Sequence, residues 1–493
     1  MLKFTRYCLL MSSIAIFVIT RLLGLFNLSL LAIIFVFFTN IIYCTEKIRN
    51  RIFFLFFNIA LFTFLIARLV VCFIRGVPWW VFEYSSVWFA LTGIEISLVF
   101  LYTGANIGDY FLKLSSASAK VSEIKTYNIV PELYKGLRIF SLFIFLVCMC
   151  AFLYIEIDKL FFMRGKSYLD YYILYNKTFP IFIRTPAAMM PYALCFFLAS
   201  APKKNISFGV LSLFLLSSLP MLIVGQRNPV VLNAIFIFLY YYWRDSVKYS
   251  HSVDEKPWIG KFEKIAICIA VPSLVSFMGI YVSLREGYKA NLSLIDSVLN
   301  FWYGQGVSFN VLCQGYGIIS RLPSDTTSYV FGPIVDFFKF GFLGRFFFNT
   351  ISLPAGNNVI RGTVGNSMAH HLSYLVYGDR YLRGEGLDSS YILEAFVDSG
   401  WVGVILINIL LGMFLMYIPV ILKKNWMSRA IILVILTKIY FIPRSSASAW
   451  CVFVFQPQFW ALVLICVILA KLAVKKYSFF DLSQKDKRGF KYV

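Results

Sequence analysis

Runs of about twenty mostly apolar residues recur along this chain, separated by short polar turns, and each is long enough to cross a bilayer as a helix. About twelve such spans are expected, with approximate cores at 7–26, 28–45, 52–74, 86–104, 136–155, 180–200, 206–224, 229–243, 262–283, 401–419, 429–443 and 449–471. The first two are divided only near Asn27. One stretch breaks the rhythm. From Leu284 to Gly400 polar and apolar residues mix, with eight Lys/Arg against nine Asp/Glu and two of the chain's three histidines. The pattern therefore divides the chain into an N-terminal membrane bundle (1–283, about nine spans), a large loop (284–400), and a C-terminal bundle with a basic tail (401–493, about three spans). The expected fold class is all-α, a polytopic membrane protein with one large extracytoplasmic loop.

Charge supplies the orientation. With the N-terminus inside, the alternate turns that fall in the cytoplasm hold Lys47, Arg49 and Arg51, then Lys113, Lys120, Lys125 and Lys135, then Lys203 and Lys204. The series continues with Arg244, Lys248, Lys256, Lys261 and Lys264, with Lys423, Lys424 and Arg429, and with a tail from Lys471 to Lys491. Positive residues favour the cytoplasmic side, so both termini are expected inside and the large loop outside. Trp79, Trp80 and Trp401 fall at the depth of an interfacial aromatic belt. Within the loop, Val330–Phe348 is rich in Phe but carries Asp336, Lys339, Arg345 and three glycines. It is expected to lie on or dip into the interface, not to cross it.

Composition agrees. Of 493 residues, 60% are hydrophobic and only 14% charged, and mean hydropathy is +0.76, more apolar surface than a water-soluble fold could bury. The net charge of +22 is spent on the inner turns, and the large loop sums to about −1, so no basic groove is offered to nucleic acid. Nine of the ten cysteines, all but Cys313, lie in apolar runs with no CxxC pair, which argues against a disulfide framework or a zinc site. No cofactor or metal is implied. No cleavage site follows the first apolar run, which is therefore expected to be retained.

Several residues stand out chemically. Gly225-Gln226-Arg227-Asn228-Pro229 is a compact external turn, with Pro229 at the start of the next helix. Arg227 there can grip a phosphate or carboxylate through two parallel hydrogen bonds, or simply meet lipid headgroups. Arg285, directly after the ninth span, sits at the same expected depth and has Glu286 as an alternative partner. Arg68 and Glu95 are intramembrane charges, which are costly in lipid and face a bundle interior, where the two could pair. Arg444 marks the last external turn. His370 and His371 are adjacent and cannot share a helix face, so at most one serves a given pocket as a proton acceptor. Finally, Asp388 reads as an N-cap of a short amphipathic helix ending at Gly400, with Ser390, Glu394 and Asp398 one turn apart on a polar stripe.

That last string carries a resemblance. Gly384-x-Gly386-x-x-Ser389-Ser390-Tyr391-Ile392-x-Glu394-Ala395, followed by Asp398-x-Gly400-x-x-Gly403, resembles the loop-to-helix segment of Wzy-type O-antigen polysaccharide polymerases. Leu372-Ser373-Tyr374 and the Gly-Gln-Arg turn at 225–227 are similar to that family too. Leu387-Asp388 departs from it, which leaves Asp388 as a cap only. The resemblance implies a glycosyltransferase of the bacterial inner membrane that polymerises undecaprenyl-diphosphate-linked oligosaccharide units at its periplasmic face. It further implies lipid-linked oligosaccharide and membrane lipid as partners, and a chain-length-determining membrane protein beside them. On that reading Arg227 and Arg285 hold the diphosphate in place of a metal ion, with Arg68, Arg444 and Ser390 as further substrate contacts, and Glu394, His371 or His370 activates the acceptor hydroxyl. The rivals are a flippase for the same lipid-linked unit, against which the long loop and the lack of an internal repeat count, and an O-antigen ligase.

Overall fold

The computed structural model describes residues 2–119, 131–166, 170–171, 174–175, 177–248, 257–285 and 293–489, and every regular element among them is helical. Among the described residues ten helices are long and apolar enough to cross a membrane: Leu2–Leu23, Phe26–Glu46, Ile48–Ile74, Tyr84–Ser115, Glu132–Phe162, Ile181–Ala199, Lys204–Ile223, Lys261–Ile280, Tyr391–Ile421 and Trp426–Arg444. These coincide with ten of the twelve expected spans. The eighth expected span is also a helix, Asn228–Lys248, but two asparagines, three successive tyrosines and Arg244-Asp245 leave it less apolar than the rest. The twelfth starts later than expected. Residues Val452–Phe455 form a short 3-10 turn, and the helix begins at Pro457, with only Pro457–Ala473 apolar.

The chain forms two compact units. The first comprises Met1–Ala117, Phe238–Pro419 and Lys438–Val452. One close crossing in it is between the helix Tyr84–Ala119 and the helix Tyr391–Ile421. A Cβ on Gly104 would stand 2.1 Å from the Ile409 carbonyl oxygen, and one on Gly412 would stand 2.3 Å from that of Leu101. Small residues let two backbones touch where lipid provides no hydrophobic drive between helices. Above that crossing Tyr391 donates to Asn408 (2.8 Å), whose amide donates to Ser97 (3.2 Å). At the other end of this unit Arg6 pairs with Glu46 (2.7 Å), Arg51 with Asp109 (2.9 Å) and Lys113 with Asp109 (3.0 Å). Buried charges thus satisfy one another at helix ends.

The second unit comprises Ser118–Ile237, Val420–Thr437 and Phe453–Val493. Here Pro131–Phe162 packs on Ile181–Ala199 and on the last helix, where a Cβ on Gly136 would lie 3.1 Å from the Ala470 backbone. The Trp426 indole donates to the Phe196 carbonyl (3.0 Å), and Arg429 and Arg138 close the helix end at Ala199 and Ser200.

The long loop of the first unit is folded through most of its length. Helices span Leu294–Gln305, Ser308–Gly317, Gly332–Lys339, Phe342–Phe348, Val359–Thr363, Met368–Tyr377 and Asp379–Leu382. Ser293 caps the first by accepting from the Asp296 amide (3.1 Å). The expected interfacial element at 330–348 is two short helices meeting at a corner. Gly341 makes that corner, where a Cβ would stand 1.9 Å from the Phe337 carbonyl oxygen. At about 1.5 Å per residue neither the eight-residue nor the seven-residue helix could cross a bilayer core of about 30 Å. Phe342, Phe346, Phe347 and Phe348 are all exposed on the second of them.

Candidate functional site

Two clusters of chemistry-bearing side chains lie in the first unit. The first is built on Glu394. The helix that carries it starts at Tyr391 and breaks at Ser399 and Gly400, where Gly400 adopts φ +60° and ψ −154°. This is the expected short helix running to Gly400 before the tenth span, and a residue with positive φ there needs to be glycine. Glu394 is fully buried, with one carboxylate oxygen accepting from Ser389 Oγ (2.6 Å) and the other from Ser446 Oγ (3.0 Å) and the Ala447 amide (2.8 Å). Among the described residues no cation is paired with it. Arg444, two residues before Ser446, forms an ion pair with Asp388 (2.6 Å). Asp388 is therefore not the expected N-cap. Its carboxylate is drawn to Arg444, and together with Glu394 it ties the 388–390 turn to the 444–447 turn at two points.

The expected polar stripe of Ser390, Glu394 and Asp398 does not converge. Ser390 is buried and its hydroxyl has no partner, Glu394 turns to Ser389 instead, and Asp398 faces away. The Asp398 carboxylate accepts from Ser328 Oγ (2.5 Å) and from the amides of Tyr329 (2.9 Å) and Val330 (2.9 Å), just ahead of the helix Gly332–Lys339. Carboxylates are stabilised at such helix starts.

The second cluster surrounds a cavity of about 380 Å³ lined by the hairpin of Pro333, Asp336, Phe337, Phe340 and Gly341 on one side and by Arg361, Val364, Ser367 and His370 on the other. Arg361 Nη1 lies 3.0 Å from His370 Nε2, and His370 Nδ1 lies 2.8 Å from Tyr381 Oη. A guanidinium can only donate, so Nε2 is the acceptor and Nδ1 carries the proton. Burial, with the Arg361 charge and His371 after it, pushes the His370 pKa down to about 4, so the ring is neutral. Asp336 accepts from the Asn366 side chain (2.8 Å) and backbone (3.2 Å). Its burial pushes its pKa up, against those hydrogen bonds and the pull of Arg361.

As expected from their adjacency, the two histidines face different surroundings. His371 is fully buried with Nδ1 3.0 Å from Tyr329 Oη, and burial lowers its pKa. Ser373, on the same helix, accepts from the Leu387 amide (2.8 Å) and donates to the Leu387 carbonyl (2.9 Å), which fastens the Gly386-Leu387 turn to the Leu372-Ser373-Tyr374 string. Two separate strings of the sequence are thus one structure.

The remaining candidates lie elsewhere. Arg68 and Glu95 do not pair. Arg68 donates to Tyr303 Oη (2.8 Å) with its guanidinium 4.0 Å from that ring's centre, and Glu95 accepts from Ser13 (2.7 Å). Each found a closer neutral partner across its own helix contact. Arg227 is half-buried in the second unit, in the turn between Leu219–Ile223 and Asn228–Lys248, with Pro229 as the second residue of the latter helix. Arg285 ends its helix, and its side chain and Glu286 lie outside the described residues. Two of the described aromatic residues of 288–331 are used in packing: Tyr316 stacks on Phe89 (4.4 Å) and Trp302 meets Phe62 edge-on.

Sequence reasoning missed Arg361, Asp336 and Phe337 as a group. Arg361 sits in an unremarkable Val-Ile-Arg-Gly-Thr run, and the local signal was Gly362, where a Cβ would stand 2.6 Å from the Tyr374 side chain. No group of three or more His, Cys, Asp or Glu side chains comes together among the described residues.

No curated protein and no solved structure matches the chain. The family profile described as O-antigen polysaccharide polymerase Wzy matches residues 2–477. With nearly its whole length matched, and with the membrane helices and the folded loop that the resemblance implied, this chain belongs to the O-antigen polysaccharide polymerase Wzy family.

Proposed function

We propose that the protein joins undecaprenyl-diphosphate-linked repeat units at the periplasmic face of the bacterial inner membrane, moving the growing glycan onto the terminal sugar of an incoming unit. The family membership supports polymerisation, and the observation that carries the finer reading is the folded 293–400 segment, which holds a polar cavity and leads into the buried acid Glu394 in the first turn of a membrane helix. In the reaction the acceptor hydroxyl attacks the anomeric carbon, a glycosidic bond forms, the sugar–diphosphate bond breaks, and the hydroxyl proton passes to a base. Arg227 and Arg285 are each a candidate to hold the diphosphate and stabilise its developing charge, a role a metal ion fills in other enzymes. Arg68, Arg444 and Ser390 are weaker candidates for contact with substrate, since Arg68 and Arg444 already bond Tyr303 and Asp388.

Of the three candidate bases, His370 is the poorest, because its lone pair is taken by Arg361. Glu394 is the best acceptor of a proton by chemistry, with no cation on it, and it reaches an acceptor hydroxyl only when the Ser389 or Ser446 hydroxyl gives way. A chain-length-determining membrane protein belongs to the same proposal as a partner.

The test is a gel of surface polysaccharide from cells lacking the gene and from cells carrying Arg227→Ala or Arg285→Ala. Core bearing a single repeat unit with the ladder lost is the expected outcome for all three. Core with no unit at all would point to a flippase or ligase instead. Normal ladders from both arginine variants would sink the diphosphate clamp.

A further inference from the structure

The cavity between the 333–341 hairpin and the 361–370 segment holds a balanced set of groups. Arg361 brings one positive charge, Asp336 brings one carboxyl, and His370 is held neutral by its bond to Arg361. A diphosphate would ask for surplus positive charge, as phosphate sites generally show, and this cavity has none. It offers instead donors from the guanidinium, acceptors from Asp336, the Ser367 hydroxyl, and two aromatic rings, Phe337 and Phe340. Its volume of about 380 Å³ lies within the range of about 300–1,000 Å³ for small-molecule pockets.

We propose that this cavity is a subsite for an uncharged sugar ring of the repeat unit, with Phe337 or Phe340 against the ring face and Arg361 and Asp336 on its hydroxyls. Three features support it. Arg361 is held from one side only: among the described residues its guanidinium bonds the protein through Nη1, to His370, which leaves Nη2 with its donors for a ligand. The chain Arg361 to His370 to Tyr381 to the Asn358 carbonyl runs in one donor direction, which locks the guanidinium's orientation before any ligand arrives. Asp336 keeps acceptor capacity after its two bonds from Asn366, since a carboxylate offers about four lone-pair positions. His370 is on this reading a positioning residue for Arg361. The subsite rests on the polymerase reading only for the identity of the sugar.

The experiment uses the full-length protein in nanodiscs. The probe is the repeat-unit oligosaccharide cut from the cell's own surface polysaccharide, with a free reducing end and neither lipid nor phosphate. Saturation-transfer NMR reads binding to the wild type, to Arg361→Lys and to Phe337→Ala, with and without inorganic pyrophosphate, and a thermal melt checks that each variant is folded. Binding by the wild type, weakened at least about tenfold by either variant and untouched by pyrophosphate, is the expected result. His370→Asn should weaken binding less than Arg361→Lys, because it loosens the guanidinium without removing it.

No binding by the wild type overturns the subsite, as does wild-type binding retained in both Arg361→Lys and Phe337→Ala. Displacement by pyrophosphate would give the cavity to the leaving group instead and overturn it too. Should Arg361→Lys fail to fold, Phe337→Ala, at the cavity wall, decides alone. The outcome is separable from the polymerase reading: a wild-type ladder in cells without oligosaccharide binding defeats the subsite alone, and binding without a ladder in wild-type cells defeats the polymerase reading alone.

Discussion

Burial above all, and then the second positive charge that protonation would place 3.0 Å from the Arg361 guanidinium, push the His370 pKa down to about 4. The unfolded chain has no such neighbour and titrates near 6.5. Between those values the unfolded state binds the extra proton, so the stability His370 contributes is whole above about pH 6.5 and is lost as pH falls toward 4. The groups facing it are Arg361, His371, Tyr381 and, across the cavity, Asp336. Asp336 works in the opposite direction, because its raised pKa favours the folded state at low pH. The melting temperature of the wild type in detergent should therefore drop between pH 6.5 and 4, and His370→Gln should drop less over that window. An equal slope in both proteins would show that His370 is not held as described. The sequence made both histidines visible, and their adjacency already separated their faces. It could not show that one of them meets an arginine nine residues back, since that contact depends on how the Val359–Thr363 turn packs against the Met368–Tyr377 helix.

At the scale of elements, the hairpin of Gly332–Lys339 and Phe342–Phe348 joins two surfaces. One wall carries Phe337 and Phe340 toward the cavity, and the other displays Phe342, Phe346, Phe347 and Phe348 with Arg345 among them. Aromatic residues with a flanking cation suit the headgroup region. A benzoylphenylalanine photocrosslinker at position 347 should capture phospholipid in native membranes, whereas one at position 380, on the exposed Arg380, should not. Capture of lipid at neither position would place the hairpin in water. Composition alone carries the expectation that this run lies at the interface. Its corner was not readable, because the need for glycine at 341 comes from the Phe337 carbonyl folding back on it. The Gly400 break was readable, since a glycine between an amphipathic run and a fully apolar one is where the helix axis can turn.

For the molecule as a whole, orientation rests on where its positive charge is spent. The turns holding Lys47, Arg49 and Arg51 and Lys423, Lys424 and Arg429 are expected in the cytoplasm, and the 284–400 segment outside. Alkaline phosphatase, active only outside the cytoplasm, should be active when fused after Gly384 and inactive when fused after Lys424. The reverse pattern would invert the topology and with it the face on which the reaction is proposed to occur.

Span positions, the all-helical class, the large loop and the family were decided by the sequence itself, because lipid imposes a length and an apolarity on every crossing that single residues report directly. The strings around Gly384–Glu394 and Leu372–Tyr374 were legible as local patterns. What only the tertiary structure decided was partnership. Arg68 chose Tyr303, Arg444 chose Asp388, Glu394 was enclosed by Ser389, Ser446 and Ala447, and Arg361 met His370. Such pairings bring together helices and turns that are mostly far apart along the chain, and they are selected by the low-dielectric interior, where each buried charge or hydroxyl must find a partner that no local sequence pattern names.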